Sequence, residues 1–530
     1  MSDTSKKQTF LHGTALLAMS TSIVKIIGAF YSIPLKAIIG DQAFGYYSTA
    51  YEIYTLLLMI STAGLPVAMS RMISQASSLE KYQQVRKIYT TARTIFLTLG
   101  MLGTVLMMVF CRQLASFQKQ PNAWITILVL GPACLLICLM STYRGFFQGQ
   151  GNMKPTSVSQ VLEAAVKLVI GLSTAILLQQ YTKNIAFPAG GAILGVTMSC
   201  LVSSFYLNHC FRKAYRDLPI GNDTASSGKD IAKGLLAIAI PITIGSAGLQ
   251  ILTVLETKVY MSQLLQFMSQ ETADLQKGIY NFIQKIFNMP CAFITPITLS
   301  IIPAITAQIT TGDRKGAKAT EESAARVTAL ISMPCAIGLA VLAEPVTALL
   351  GGYSGEKLVL ATRLMQVLGV CIIFNATVLL TNAIMQAHGH VNLPVINMFI
   401  GGLLKLVAVF ILTGNPHIGI LGTPIGSLLC YLSITILNVL TARQVLDDPP
   451  AIIKNMLRGF VSAAIMGVGA YGVWWGLKYI GIGSRLILCA APIAVGVALY
   501  VIAAIKLKAI TREDCLLLPK GEKIANLLHL

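Results

Sequence analysis

The chain has 530 residues, 55% apolar and 12% charged, with mean hydropathy +0.71 and a net charge of +19 from 40 Lys+Arg against 21 Asp+Glu. A soluble chain carries about 25% charge and a disordered one is charge-rich and apolar-poor, so both classes are excluded and the chain reads as an integral membrane protein. The basic excess would point to nucleic acid in a soluble protein; here it fits cytoplasmic loops and an anion-binding cavity, and no nucleic-acid partner is expected.

Lys6 and Lys7 precede a run that continues to Gly40, too long for a signal-peptide core and without an A-x-A site, so it reads as a retained first transmembrane helix. A crossing needs about 20 mostly apolar residues. Fourteen stretches qualify: 14–38, 44–70, 90–111, 122–143, 155–180, 186–211, 235–257, 279–305, 324–350, 361–385, 392–413, 418–441, 459–480 and 485–507. An even number with a basic N-terminus places both ends in the cytoplasm. With end turns counted in the adjoining loops, 26 basic residues then lie inside and 9 outside, and five, Lys25, Lys36, Lys167, Lys285 and Lys405, fall within spans. That asymmetry follows the positive-inside rule.

Two weak internal echoes follow along the chain. Gln148-x-x-Gly151 precedes Lys167 as Gln386-x-x-Gly389 precedes Lys405, and Gly191-x-x-x-Gly195 returns as Gly422-x-x-x-Gly426. Small-xxx-small patterns are also ordinary packing motifs of membrane helices. Read as a repeat, they predict an all-α integral membrane protein of about 14 transmembrane helices. Two six-helix lobes, 1–220 and 221–445, would be related by a pseudo-two-fold axis along the membrane normal. Residues 446–530 would add two C-terminal helices and a cytoplasmic tail, amphipathic from Lys506 onward.

Polar stripes mark the spans. Lys25, Gly28, Ser32 and Lys36 share one face of the first, and Thr156, Gln160, Glu163, Lys167, Gly171 and Thr174 one face of the fifth. The seventh carries Ser246, Gln250, Thr253 and Thr257, the eighth Asn281, Gln284, Lys285 and Asn288, and the tenth Asn375, Asn382 and Gln386. Stripes in both lobes predict a shared hydrated cavity. Ionisable groups inside a membrane are costly and read as functional. Blander readings stand beside this: Lys36 snorkelling to headgroups, Glu163 and Lys167 neutralising each other at i, i+4, Lys285 at the interface. Glu52 is a candidate partner for Lys25 or Lys36. A first span with lysines and no acid favours an anion, and diffuse lysine charge suits phosphate or pyrophosphate.

Enzymatic readings find little. The 11 cysteines form no CxxC or metal-ligand spacing. His388 and His390 flank a glycine without carboxylate neighbours in sequence, and no GxGxxG, Walker, HExxH or GxSxG motif occurs. No enzyme activity and no cofactor are expected.

Several segments nevertheless form a familiar pattern: QTFLHG at 8–13, TSIVKIIGAFYSIPLKAIIG at 21–40, GLPVAMSR at 64–71, RGFFQG at 144–149 beginning with Arg144, PTSVSQ at 155–160, then Glu163 and Lys167, and ITREDCLLLPKG at 510–521. Together they resemble the multidrug/oligosaccharidyl-lipid/polysaccharide exporter superfamily, in its branch of stage V sporulation protein B-like proteins and MurJ-type lipid II flippases. The resemblance implies translocation of undecaprenyl-pyrophosphate-linked sugars by alternating access, with basic residues of the first helix aimed at the pyrophosphate. Lys25 occupies one such position; Tyr31 stands at the next, so the second charge must come from elsewhere, with Lys36 as the candidate. The resemblance also implies a groove for the polyprenyl tail formed by 459–507.

The expectation is therefore a flippase of the cytoplasmic membrane, both termini inside, that moves a lipid-linked cell-wall precursor, lipid II foremost. It would serve peptidoglycan synthesis, cell shape or sporulation. Exporters of another lipid-linked polysaccharide, and multidrug efflux antiporters, are the alternatives. Its partners would be the lipid-linked glycan, membrane lipid and cell-wall synthesis proteins. The substrate-binding candidates are Lys25, Ser32, Lys36, Glu52, Arg144, Gln160, Glu163, Lys167, Lys285 and Lys405.

Overall fold

A computed structural model describes residues 3–219, 221, 223–509 and 511, with side chains described from Ser20 onward except at a few positions in α1 and α9. The side chain of Lys25 and the amphipathic tail predicted beyond Lys506 lie outside the described residues, apart from the chain's course to Ala509.

Apolar runs of this length leave the backbone one way to satisfy its polar groups in hydrocarbon, and the regular structure of the described residues is all helical, without strands. The helices are α1 (Asp3–Thr62), α2 (Leu65–Ser78), α3 (Tyr82–Val109), α4 (Cys111–Phe117), α5 (Trp124–Gly149), α6 (Lys154–Tyr181), α7 (Ala186–Arg216) and α8 (Gly228–Leu264). They continue as α9 (Gln270–Thr310), α10 (Arg314–Val341), α11 (Ala343–Leu350), α12 (Gly355–Ala387), α13 (Asn392–Thr413), α14 (Gly422–Val445), α15 (Ile452–Tyr479) and α16 (Arg485–Lys506). Twelve helical stretches among the described residues are long and apolar enough to cross a membrane. The difference from fourteen has two sources. The first two predicted spans run on as one helix, α1, bent at Gly40, whose φ of +79° suits a residue without Cβ. The eighth falls within α9, a 41-residue helix with a few positions outside the described residues, so the twelve do not include it. Exposed apolar side chains, Leu102, Val169, Val407 and Val468 among them, clothe the outer faces as lipid-facing positions require.

The chain divides into two compact units, 1–281 and 282–530, the division falling inside α9. In the first unit α3 packs on α5, α5 on α7 and α7 on α6, while α1 lies against α5, α6 and α7, and α8 against α1, α2 and α3. The second unit repeats the order: α10 on α12, α12 on α14 and α14 on α13, with α15 covering α10 and α16 packed on α15.

Matching details support a repeat. α5 and α12 end in the same way, Gly151 (φ +75°) and Gly389 (φ +85°) each allowing the next N–H to reach five residues back, Asn152 to Phe147 and His390 to Met385, both at 2.9 Å. A Cβ on Gly195 would stand 2.4 Å from Gly171 and 3.1 Å from the Lys167 carbonyl; one on Gly426 would stand 2.6 Å from Val409 and 3.4 Å from the Lys405 carbonyl. The two glycine motifs thus seat α7 on α6 and α14 on α13 at corresponding places, each beside the carbonyl of the corresponding lysine. The linker after α7 is docked rather than loose: Asp223 accepts from the Gln83 and Gln84 amides, both at 2.9 Å, at the start of α3. Those donors outweigh the desolvation that would raise the Asp223 pKa and hold its carboxyl below the usual range.

Candidate functional site

The ionisable groups of the first unit gather along α1, and almost every one has a partner that sequence spacing did not name. Lys36, 8% exposed, pairs with Asp41 at 3.2 Å, one turn further along α1 and beyond the Gly40 bend. Ser32 turns its hydroxyl back to the Gly28 carbonyl at 3.1 Å. Ser20 donates to Gln160 on α6 at 3.3 Å. Glu163 and Lys167 do not pair with each other in the way their i, i+4 spacing suggested. Arg144 on α5 reaches Glu163 at 3.0 Å and Ser159 at 3.1 Å. The guanidinium's several donors let Arg144 hold Ser159 and Glu163, one turn apart on α6, at the same time.

Lys167 is thereby left to the aromatic wall of α1. Its Nζ donates to the Tyr51 hydroxyl at 2.8 Å and stands 4.7 Å from the Tyr51 ring centroid and 5.2 Å from that of Tyr31. Ring faces attract a cation without cancelling its charge. Tyr31 is therefore more than a missing base: it occupies the position where the resemblance implies a second charge, and its ring faces the Lys167 ammonium.

The described ion-pair partner of Glu52 is Lys277 of α9, at 3.8 Å; the side chain of Lys25, one of its two candidate partners, lies outside the described residues. Lys277 is 0% exposed, although it lies between the predicted seventh and eighth spans. Its ammonium donates to Thr49 Oγ1 at 2.6 Å, and the Thr49 hydroxyl donates to Gln120. The Gln120 amide donates in turn to Asp274 Oδ1 at 2.9 Å, whose Oδ2 accepts from the Tyr46 hydroxyl at 3.0 Å. This chain of polar contacts welds α1, the segment after α4 and the start of α9. Its geometry depends on a close crossing, because a Cβ on Gly278 would lie 1.8 Å from the Asp41 carbonyl oxygen. The only sequence hint was the pair Gly45 and Gly278, unremarkable by themselves; the Gly45 Cβ position is 3.2 Å from the Asp274 carbonyl.

In the second unit Lys285 on α9 and Lys405 on α13 are half-buried. The predicted stripe on α12 does structural bonding: Asn438 of α14 donates to Thr381 at 2.9 Å and to Asn382 at 2.8 Å, and accepts from Asn397 of α13 at 2.9 Å. His388 has a carboxylate neighbour that spacing hid, Glu321 of α10, 1% exposed and 2.7 Å from its Nε2. An apolar cleft of about 610 Å³ is lined by Met289, Leu339, Leu349, Met466, Ile493 and other residues of α9, α10, α11, α15 and α16. The described residues contain no cluster of His, Cys, Asp or Glu able to hold a metal ion.

Paired charges inside long apolar helices, matched four-helix sets and an apolar cleft define a multi-pass helical membrane protein. Residues 10–308 match a family model described as "Polysaccharide biosynthesis protein", and residues 257–360 a second model of the same description. The chain belongs to the polysaccharide biosynthesis protein family. Among curated relatives, stage V sporulation protein B of Bacillus subtilis (strain 168) is 26% identical over 528 residues, covering 97% of this chain and 98% of its own. Lipid II flippase MurJ of the same organism is 26% identical over 523 residues, covering 94% and 95%. Among solved structures, the inward closed conformation of lipid II flippase MurJ superposes with TM-score 0.69 at 14% identity, covering 92% of this chain and 98% of that one. An inward-facing multidrug resistance MATE transporter of the MOP superfamily superposes with TM-score 0.62 at 16% identity, covering 82% and 99%. At these identities the structures share the fold.

Proposed function

We propose that the protein is a flippase of the cytoplasmic membrane that moves an undecaprenyl-pyrophosphate-linked cell-wall precursor, lipid II foremost, from the inner to the outer leaflet by alternating access, with both termini cytoplasmic. The observation that carries the reading is Lys167, an intramembrane ammonium held by a tyrosine hydroxyl and two ring faces. Such a cation keeps its charge for an anionic guest, whereas Lys36, Arg144 and Lys277 already face carboxylates. Lys25, on the same α1 as Tyr31 and Tyr51, would supply further charge for the pyrophosphate. The apolar cleft at α15 and α16 offers the polyprenyl tail a surface that matches lipid, in keeping with the expectation for 459–507. The headgroup is the obstacle to crossing about 30 Å of hydrocarbon, and the tail is not. The two-lobe repeat, 1–220 and 221–445 with 446–530 appended, supplies the moving halves. The protein acts as a transporter and not as an enzyme, and serves cell-wall synthesis in growth or sporulation.

The name of the family favours a second reading, export of another lipid-linked polysaccharide unit. Depletion in a strain lacking redundant flippases separates the two. Lipid II should accumulate on the inner leaflet and vanish from the outer one. Unchanged lipid II exposure together with loss of a different surface glycan would transfer the assignment to that glycan.

A further inference from the structure

We propose that the second unit carries a site for an anionic phospholipid where α12, α14 and the start of α15 meet. The proposal takes from the previous section only the orientation that puts this end at the inner leaflet. A cleft of about 400 Å³ opens there, walled by Ile384, Val439, Pro450 and Leu457, with Arg443 and Lys454 among its lining residues. That volume lies in the range of small-molecule sites. Apolar walls with two cations match an acyl chain topped by a phosphate, and match neither a neutral lipid nor a free hydrated ion.

The charges around the cleft show why these two cations remain available. The loop between α14 and α15 holds two acids, and both are taken by α10: Asp447 pairs with Arg314 at 2.7 Å, and Asp448 pairs with Lys318. Glu322 of α10 accepts from the Ala451 amide at 3.3 Å, and Glu321 pairs with His388. No ion pair among the described residues engages Arg443 or Lys454. The chain therefore neutralises its acids through α10 and leaves its two bases facing an apolar cleft. Ile453 and Leu457, exposed on the same first turns of α15, extend the apolar wall toward the lipid. Basic clefts between spanning helices on the cytoplasmic side are suited to anionic headgroups, each Lys or Arg contributing a near-surface attraction.

The test uses the full-length protein in detergent, incubated with dioleoylphosphatidylglycerol, with bound lipid counted by native mass spectrometry. Wild-type protein should retain phosphatidylglycerol, and the Arg443→Gln/Lys454→Gln double variant should lose roughly thirtyfold in apparent affinity. A control variant, Lys315→Gln/Lys508→Gln, removes two exposed charges outside the cleft and should bind as wild type does. Both variants alter exposed side chains, so folding is preserved. Equal retention by the cleft variant, equal loss in the control, equal retention of phosphatidylcholine, or displacement by millimolar inorganic phosphate would each overturn the site. Lipid retention is read without any transport, so a failed flippase assay leaves this result standing.

Discussion

The two compact units solve the problem of polar groups in hydrocarbon differently. Inside its spans the first unit keeps charges and pairs them, Lys36 with Asp41 along α1, and Arg144 with Glu163 and Lys277 with Glu52 across helices. The second unit bonds α12, α13 and α14 with neutral amides and hydroxyls, Asn382, Asn397, Asn438 and Thr381, and Asp447 and Asp448, just beyond the end of α14, pair with Arg314 and Lys318 at the start of α10. Amide contacts serve as glue of modest strength. A buried ion pair stabilises little compared with an apolar replacement, while removal of one partner is strongly destabilising. Charges retained at that cost mark the first unit as the place where the proposed transport chemistry can be tested against the second.

That contrast predicts unequal damage. The largest effect belongs to Lys277→Met, which strands Glu52 and breaks the bonds to Thr49. A loss of about 3–5 kcal/mol is expected, read as a fall in the amount of folded protein in membranes and in its thermal unfolding temperature. Lys277→Met/Glu52→Gln should recover most of it, and no recovery would show that the pair is not the unit of stability.

Next comes Lys167→Ala. Transport should fall to background while the protein stays in the membrane at normal levels, and Lys167→Arg should keep part of the activity because charge persists while geometry changes. Normal transport by Lys167→Ala would remove the anion argument from α6. The smallest effect belongs to the second unit: Asn438→Leu should cost about 0.6–1.7 kcal/mol, the range of interhelical hydrogen bonds in membranes, with transport retained. A transport defect as deep as that of Lys167→Ala would erase the distinction between the units.

How far the candidate site was legible depends on sequence distance. The Gly195 and Gly426 motifs and the Gly151 and Gly389 caps were readable because each is a local device, its consequence fixed within a few residues of its own helix. Partners were not. Glu163 lies one turn from Lys167, yet it meets Arg144, which comes from another helix. Lys277, about two turns into α9, has the same local sequence character as an interfacial lysine. It is buried because α1 crosses at Gly278; the glycine permits that approach, but nothing within α9 names the helix that makes it.

The sequence by itself determined that this is a polytopic helical membrane protein with echoed halves. Apolar content and period are summed along the chain, and a lipid solvent leaves the backbone little choice but helix. The tertiary structure alone decided which charges are cancelled and which remain. Coulomb attraction in a low-dielectric interior acts over a few ångströms of space, and side chains distant in sequence, such as Glu52 and Lys277 or Lys167 and Tyr51, become neighbours only when the helices pack.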